Sequence, residues 1–372
     1  MSQKRSIITA MESQVIHGNK TCIRKSHMDA LRIAAVFMVL FNHTGKDGFV
    51  LFTAARDSAA YPLYLFISIF IRIAVPLFFM VSGALLLGRD EPFKIILKKR
   101  VLRFAAVLIA GSALIYLYKY SKGYISGISP ADFAKRVYTG NITVPYWYLY
   151  SYLAYLLMLP FLRKLAKAMS NRDFILLFSL YFIVQSLQPL QFLIWRDSTG
   201  YSQYFTLFFR QKNIIFPLLG YYIEHRMPER FFRKKYFFIL AAAGMAAICA
   251  SGALTHYRCV LTGDWRESTC GVFFDTWIFI PAAAAYFGAK LFFDTHKISG
   301  KLSGLLSAVS ACTFGAYLFE YIYRNETKAV FRALVPYIHS LPACLIWIFT
   351  ACLAGIAVTF ILRKIPGIKK FL

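Results

Sequence analysis

The chain has 372 residues, 58% hydrophobic and 17% aromatic, yet 43 Lys+Arg stand against 17 Asp+Glu for a net charge of +26. Charged residues make up only 16%, where a soluble domain carries about a quarter, so composition excludes a disordered chain and argues against soluble globular domains. The pI of 9.8 invites a nucleic-acid partner, but nucleic-acid binders are not this apolar; a polytopic membrane protein in contact with lipid accommodates both facts by placing its excess cations in cytoplasmic loops.

Residues 1–27 contain Lys4, Arg5, Lys20, Arg24 and Lys25 and no apolar run. A cleaved signal peptide needs such a run, so the segment reads as a cytoplasmic tail. Ten apolar runs of spanning length follow, at 29–45, 61–88, 101–119, 145–162, 173–190, 204–223, 236–255, 271–292, 302–323 and 341–362. Arg210, Gln211, Lys212 and Asn213 make the sixth the weakest. Helices are expected, because in lipid each backbone group must be satisfied within its own segment; a barrel would show short alternating strands. With both termini cytoplasmic, 27 of the 43 Lys+Arg fall inside, 12 outside and four within spans, in agreement with the positive-inside rule. The expectation is an all-α integral membrane protein of ten helices: a membrane domain over 28–365 and a short basic cytoplasmic end over 366–372. Cys259 and Cys270 share one outside loop, where a disulfide is conceivable. No Cys/His spacing resembles a zinc site.

Ionisable groups within spans are costly and face a bundle interior or a substrate path. They are Arg32 and His43 in the first span, Arg72 in the second, Arg210 and Lys212 in the sixth, Asp275 in the eighth and Glu320 in the ninth. Arg32 and His43 are eleven positions apart, which places them on one helix face about 16 Å apart. A shared internal path is one reading; the other has Arg32 snorkelling to headgroups and His43 at a helix end. Arg100 and Arg103, three apart at the entry to the third span, could hold a phosphate-bearing ligand or serve as ordinary cytoplasmic charge near lipid headgroups. Topology puts His43, Trp147, Tyr148, Asp275 and Glu320 towards the outer face. A carboxylate beside a histidine holds its tautomer and raises its basicity. Trp147 and Tyr148 could stack on sugar rings or belong to the interfacial aromatic belt. Asp275 and Glu320 could equally partner Arg72 or Arg210.

These residues bear a family likeness. Met28-Asp29-Ala30-Leu31-Arg32 with His43 after ten intervening residues resembles the first helix of the membrane acyltransferase-3 family. Arg72 followed by Val75-Pro76-Leu77-Phe78-Phe79-Met80-Val81-Ser82-Gly83 is similar to its second helix, and Arg100-Val101-Leu102-Arg103 to its cytoplasmic Arg-x-x-Arg. Trp147-Tyr148-Leu149-Tyr150, Phe216-Pro217-Leu218-Leu219-Gly220-Tyr221-Tyr222, Thr313-Phe314-Gly315-Ala316-Tyr317-Leu318 and Leu362-Arg363-Lys364-Ile365-Pro366 continue the likeness over nearly the whole chain. Two positions depart from it. Many members carry His before the fourth-helix Trp, where this chain has Pro145-Tyr146, and His after the ninth-helix Tyr-Leu, where it has Phe319-Glu320. The chain ends after the last span, so relatives with a fused extracytoplasmic hydrolase-like domain are not matched.

The resemblance implies a ten-helix enzyme, multi-pass in a bacterial plasma membrane. It would move an acyl group, commonly acetyl, from cytoplasmic acyl-CoA to a hydroxyl of an extracytoplasmic glycan or lipid-linked sugar. No permanently bound cofactor is implied, acyl-CoA being a co-substrate. Arg100 and Arg103 would then hold its phosphates, Arg32 and Arg72 would line the passage and hold the pantetheine or phosphate groups, and His43 would be the general base, with Glu320 orienting it or binding acceptor hydroxyls. Trp147, Tyr148 and Asp275 would serve the acceptor, and Arg72 could stabilise the oxyanion. No Ser or Cys nucleophile stands out, which favours direct transfer. Two other functions fit buried charges: transport of a small anionic or zwitterionic solute, and a non-catalytic membrane role in polysaccharide assembly.

Overall fold

In a computed structural model, residues 25–197 and 210–371 are described. Nearly all of the expected tail, and the start of the sixth run, lie outside them. The described elements are helical, with no strand among them. In chain order they are α1 (Ser26–Asn42), α2 (Tyr61–Leu86), α3 (Phe93–Ser121), the short α4 (Pro130–Thr139), α5 (Trp147–Ala168), α6 (Asn171–Trp195), α7 (Lys212–Tyr221), α8 (Lys234–Thr262), α9 (Phe279–Thr295), α10 (Gly300–Leu318), α11 (Glu320–Leu334) and α12 (Ser340–Leu362).

Five of these helices, α2, α3, α6, α8 and α12, are long and apolar enough to cross a membrane, or six if α10 and α11 form one span bent by 83°. The remaining expected runs are helical over most of their described length but do not reach that standard. Helices α1 and α9 have 17 residues each, and α5 is rich in tyrosine and ends on Arg163, Lys164 and Lys167. Two expectations shift. Asp275 lies in the turn ahead of α9, not within a helix. His256, expected in an outside loop, lies within α8, which continues to Thr262, and its Nδ1 is 3.0 Å from the Tyr61 hydroxyl.

The outer helices explain the composition. Ile175, Ile183 and Ile194 on α6, Phe238 on α8, and Phe349 and Phe360 on α12 are all exposed. An apolar surface of this extent is unfavourable in water and needs no compensation against lipid. Helix α1 is more interior, packing on α2, α9, α10 and α12. Its start is fixed by a buried carboxylate. Glu224, in the helical turn that follows α7, accepts a hydrogen bond from Tyr286 at 3.0 Å and pairs with Lys25 and with His27 at 3.1 Å. Lys290 stands 3.5 Å away. Charge removed from solvent is tolerated when paired in this way.

Helices α2 and α7 meet at backbone distance. A Cβ on Gly83 would stand 2.0 Å from the Pro217 carbonyl oxygen, and one on Gly220 would stand 2.0 Å from that of Met80. Small residues permit such crossings between membrane helices. Cys259 and Cys270, the two cysteines expected in one outside loop, are both buried with their Sγ atoms 2.6 Å apart.

Gly83→Ala and Gly220→Ala should therefore each destabilise the bundle by about 1–3 kcal/mol or more, because backbone must move. Gly304→Ala, whose Cβ meets nothing within 4 Å, should not. Thermal unfolding of the detergent-solubilised protein checks this.

Candidate active site

Two cavities follow one another along α1. The first, of about 350 Å³, lies beside Arg32 and is lined by Lys99, Arg100 and Arg103, with Phe104, Tyr152 and Phe371 on its apolar side. A π-helical turn over Leu97–Val101 opens α3 at this point; such turns recur at functional sites. Glu91 takes Arg100 in a fork, Nη2 to Oε1 at 2.7 Å and Nε to Oε2 at 3.1 Å. It also accepts from Arg163 at 2.9 Å. Arg163 is only 5% exposed and donates to the Leu86 carbonyl as well. Arg32 stands 3.8 Å from Asp29. Among the described residues no carboxylate pairs with Lys99 or Arg103. The cavity therefore keeps a cationic excess, which suits an anion carrying several charges.

The second cavity, of about 130 Å³, lies at the C-terminal end of α1 and is lined by Asn42, His43, Arg72, Trp147 and Lys212. Phe78, Tyr148 and Tyr317 line both cavities. Tyr148 meets Tyr317 edge to face at 5.6 Å and packs at a tilt on Phe78 at 5.8 Å, so a single aromatic layer borders both spaces.

His43 caps α1, and its Nδ1 stands 3.2 Å from Oε1 of Glu320. The contact is an ion-pair approach and not a formed hydrogen bond, and among the described residues neither atom has a hydrogen-bond partner. Glu320 is 1% exposed, and its other oxygen is 3.4 Å from Arg324 Nε. The carboxylate reaches His43 because the helix breaks at Phe319, between α10 and α11. The Leu318 carbonyl accepts from the Tyr146 hydroxyl at 2.8 Å, and the Tyr317 hydroxyl donates to the Pro145 carbonyl. The start of α5 thus satisfies the break, as a buried backbone carbonyl requires.

Beside this pair, Asp275 is held from two sides. Arg72 grips it in a fork at 3.0 and 2.7 Å, and Lys212 donates at 2.8 Å. Arg72 also donates to Asn42 at 3.3 Å, which ties the cluster to the residue before His43.

The structure thus gathers His43, Glu320, Arg72, Asp275, Trp147 and Tyr148 at one end of α1, with Arg32, Arg100 and Arg103 at the other. Arg72, expected on the resemblance to line the donor's passage with Arg32, lies in the His43 cavity and not in that of Arg32, Arg100 and Arg103. Of the two alternatives for Asp275, it is Arg72 that holds it. Several residues escaped sequence reasoning: Glu91, Arg163, Asn42, Lys99 and the septum residues Phe78 and Tyr317. Arg163 was counted as topological charge. An acid beside a proline within a basic loop, Glu91-Pro92, was the available signal for Glu91.

The Arg100 guanidinium, with that of Arg163, holds the Glu91 carboxyl down at about 2 against the upward effect of burial. The folded state then gains stability from Glu91 above the ordinary carboxyl range and loses it as pH falls towards 2. Glu91→Gln should cost about 1–3 kcal/mol near neutrality by stripping the buried Arg163 of its charge partner. The gap in unfolding midpoint between variant and wild type should be constant above about pH 4.5, then close towards pH 2.

Residues 26–364 match the family model Acyl_transf_3, described as an acyltransferase domain. No curated protein and no solved structure matches the chain.

Proposed function

The chain belongs to the acyltransferase-3 family, whose domain covers nearly its whole length, and we propose on that basis that it moves an acyl group from cytoplasmic acyl-CoA to a hydroxyl of an extracytoplasmic glycan or lipid-linked sugar. The reading includes ten membrane crossings, both termini in the cytoplasm, and residence in a bacterial plasma membrane. One observation carries it: a cationic cavity and a cavity lined by His43, which is backed by the buried Glu320, lie end to end and share one aromatic layer.

The first cavity takes the donor. Arg100 and Arg103, with Lys99 beside them, hold coenzyme A phosphates as charge-assisted hydrogen bonds. Arg32 lies further along α1 and guides the thioester arm towards the septum. In the second cavity the acceptor hydroxyl meets His43. Glu320 at Nδ1 fixes the tautomer with the lone pair on Nε2, and Nε2 takes the hydroxyl proton as its oxygen attacks the thioester carbonyl. The tetrahedral oxyanion forms beside Arg72, whose guanidinium is already aligned by Asp275 and Asn42. Collapse breaks the C–S bond, the departing coenzyme A thiolate takes the proton that His43 Nε2 removed from the hydroxyl, and the ester is left on the acceptor with the imidazole neutral again. Transfer is direct, with no acyl-enzyme.

The bent α10–α11 pair is also a feature of transporters, so the deciding experiment must separate transfer from transport. Purified protein with radiolabelled acetyl-CoA and a surface-glycan extract should lose thioester only when acceptor is present, with label appearing in the glycan. Solute uptake without thioester loss would establish the transporter instead. His43→Ala should reduce transfer by about 10²–10⁴-fold while the protein still folds and inserts. Arg100→Ala with Arg103→Ala should raise the acetyl-CoA KM by about tenfold or more with kcat held within a few-fold. Unchanged donor dependence would reject the assignment of the first cavity.

A further inference from the structure

His43 Nδ1 and Glu320 Oε1 stand 3.2 Å apart, both buried and both without a hydrogen-bond partner among the described residues. The place of one proton between them decides what the imidazole can do. On Nδ1 it leaves the Nε2 lone pair free to act as a base. On the carboxyl it makes the acid a donor to Nδ1, puts the ring proton on Nε2 and blocks that role. A carboxyl removed from water keeps its proton unless a cation faces it, and Glu320 is 1% exposed. The outcome therefore depends on what faces its other oxygen.

That group is Arg324, one helical turn further along α11, whose Nε is 3.4 Å from Glu320 Oε2. It is fixed from two more sides. Its carbonyl accepts from the Trp347 indole of α12 at 3.0 Å, and its guanidinium lies 5.9 Å from the Tyr321 ring centre. A guanidinium is always charged in a protein. The neighbouring phenols of Tyr146 and Tyr317 give their protons to the Leu318 and Pro145 carbonyls. Helix α12 contains no charged residue, and Arg72 and Lys212, in the His43 cavity, are engaged with Asp275.

We propose that Arg324 is a positioning residue for the transfer reaction: its charge keeps Glu320 ionised, and Glu320 in turn holds the proton of His43 on Nδ1 and the lone pair on Nε2. Arg324 touches neither substrate and acts through Glu320 alone. The proposal rests on the reading of His43 as the general base, and it adds a third member, with a defined task, to the His43–Glu320 pair.

Two measurements on the purified full chain test it. In the acetyl-CoA transfer assay, Arg324→Met should lower kcat by about tenfold or more with the donor KM held, and Arg324→Lys, which keeps the charge, should restore it. In a Glu320→Gln background there is no carboxyl left to ionise, so adding Arg324→Met should change kcat by less than about twofold. A merely structural arginine would cost the same in both backgrounds, and that result overturns the proposal. The comparison within the Glu320→Gln background also stands if Arg324→Met alone fails to fold. The second measurement needs no turnover. In ¹⁵N NMR of the histidine-labelled chain, with the His43 signals identified by their loss in His43→Gln, the lone pair should sit on Nε2 in the wild type and in Arg324→Lys. It should move towards Nδ1 in Arg324→Met, and an unchanged tautomer there overturns the proposal. Failure of the transferase reading looks different: the wild type would show no acetyl-CoA-dependent transfer, while the nitrogen signals would still respond to Arg324.

Discussion

The approach of α2 to α7 is the constraint from which the site follows. Gly83 and Gly220 leave no room for a Cβ, so the two helices touch through their backbones. Arg72 on α2 and Lys212 at the start of α7 are thereby brought close enough to share one carboxylate, Asp275. Two like charges would otherwise repel across this gap, and the cost would grow as water is excluded. Asp275 offsets it only in part, and the remaining positive charge faces the cavity at the C-terminal end of α1. Helix packing and the electrostatics of the site are the same fact seen at two scales.

The second organising feature is the break at Phe319. A continuous helix would leave the Leu318 carbonyl to an amide four residues on. Here it is taken by Tyr146, and α11 restarts at Glu320 with its carboxylate turned to His43. The two positions at which the chain departs from the family pattern, Pro145-Tyr146 and Phe319-Glu320, are therefore one structural unit. Tyr146 caps the break that Glu320 exploits. A buried carboxylate with 1% exposure is expensive unless paired, and its approach to His43 and Arg324 gives the imidazole a fixed neighbour.

Much of this was legible in the sequence because lipid imposes long-range rules on short segments. Apolar runs located the helices to within a few residues at α6 and α12, since hydrophobic length alone decides them. The in-span ionisable list led to Arg72, Asp275, His43 and Glu320, because charge in an apolar run has few alternatives to a role. Pairing was less legible. Asp275 had two candidate partners by composition, and the choice of Arg72 depends on the glycine crossing, which joins residues more than a hundred positions apart. Arg163 hid among topological lysines and arginines because burial at a helix end leaves no mark on a hydropathy profile. The turn at Asp275 and the bend at Phe319 were missed for a related reason: both segments are apolar, and a broken apolar segment reads like an unbroken one.

The aromatic layer of Phe78, Tyr148 and Tyr317 gives the two-cavity arrangement its physical purpose under the proposed function. A donor held at one membrane face and an acceptor at the other must meet without joining two aqueous compartments. A polar septum would be wet, and water would compete with the acceptor for the thioester. Aromatic rings exclude water, and edge-to-face contacts worth only about 0.5–1.5 kcal/mol per pair can part for a slender arm and close behind it. Tyr317 is anchored to Pro145 through its hydroxyl, whereas no hydrogen bond among the described residues holds Phe78, and Tyr148 lies between them. Displacement of the layer should therefore begin on the Phe78 side, on the same helix that carries Arg72. Arrival of the thioester would then move the wall next to the guanidinium that receives the oxyanion, so that opening the passage and completing the site become a single motion.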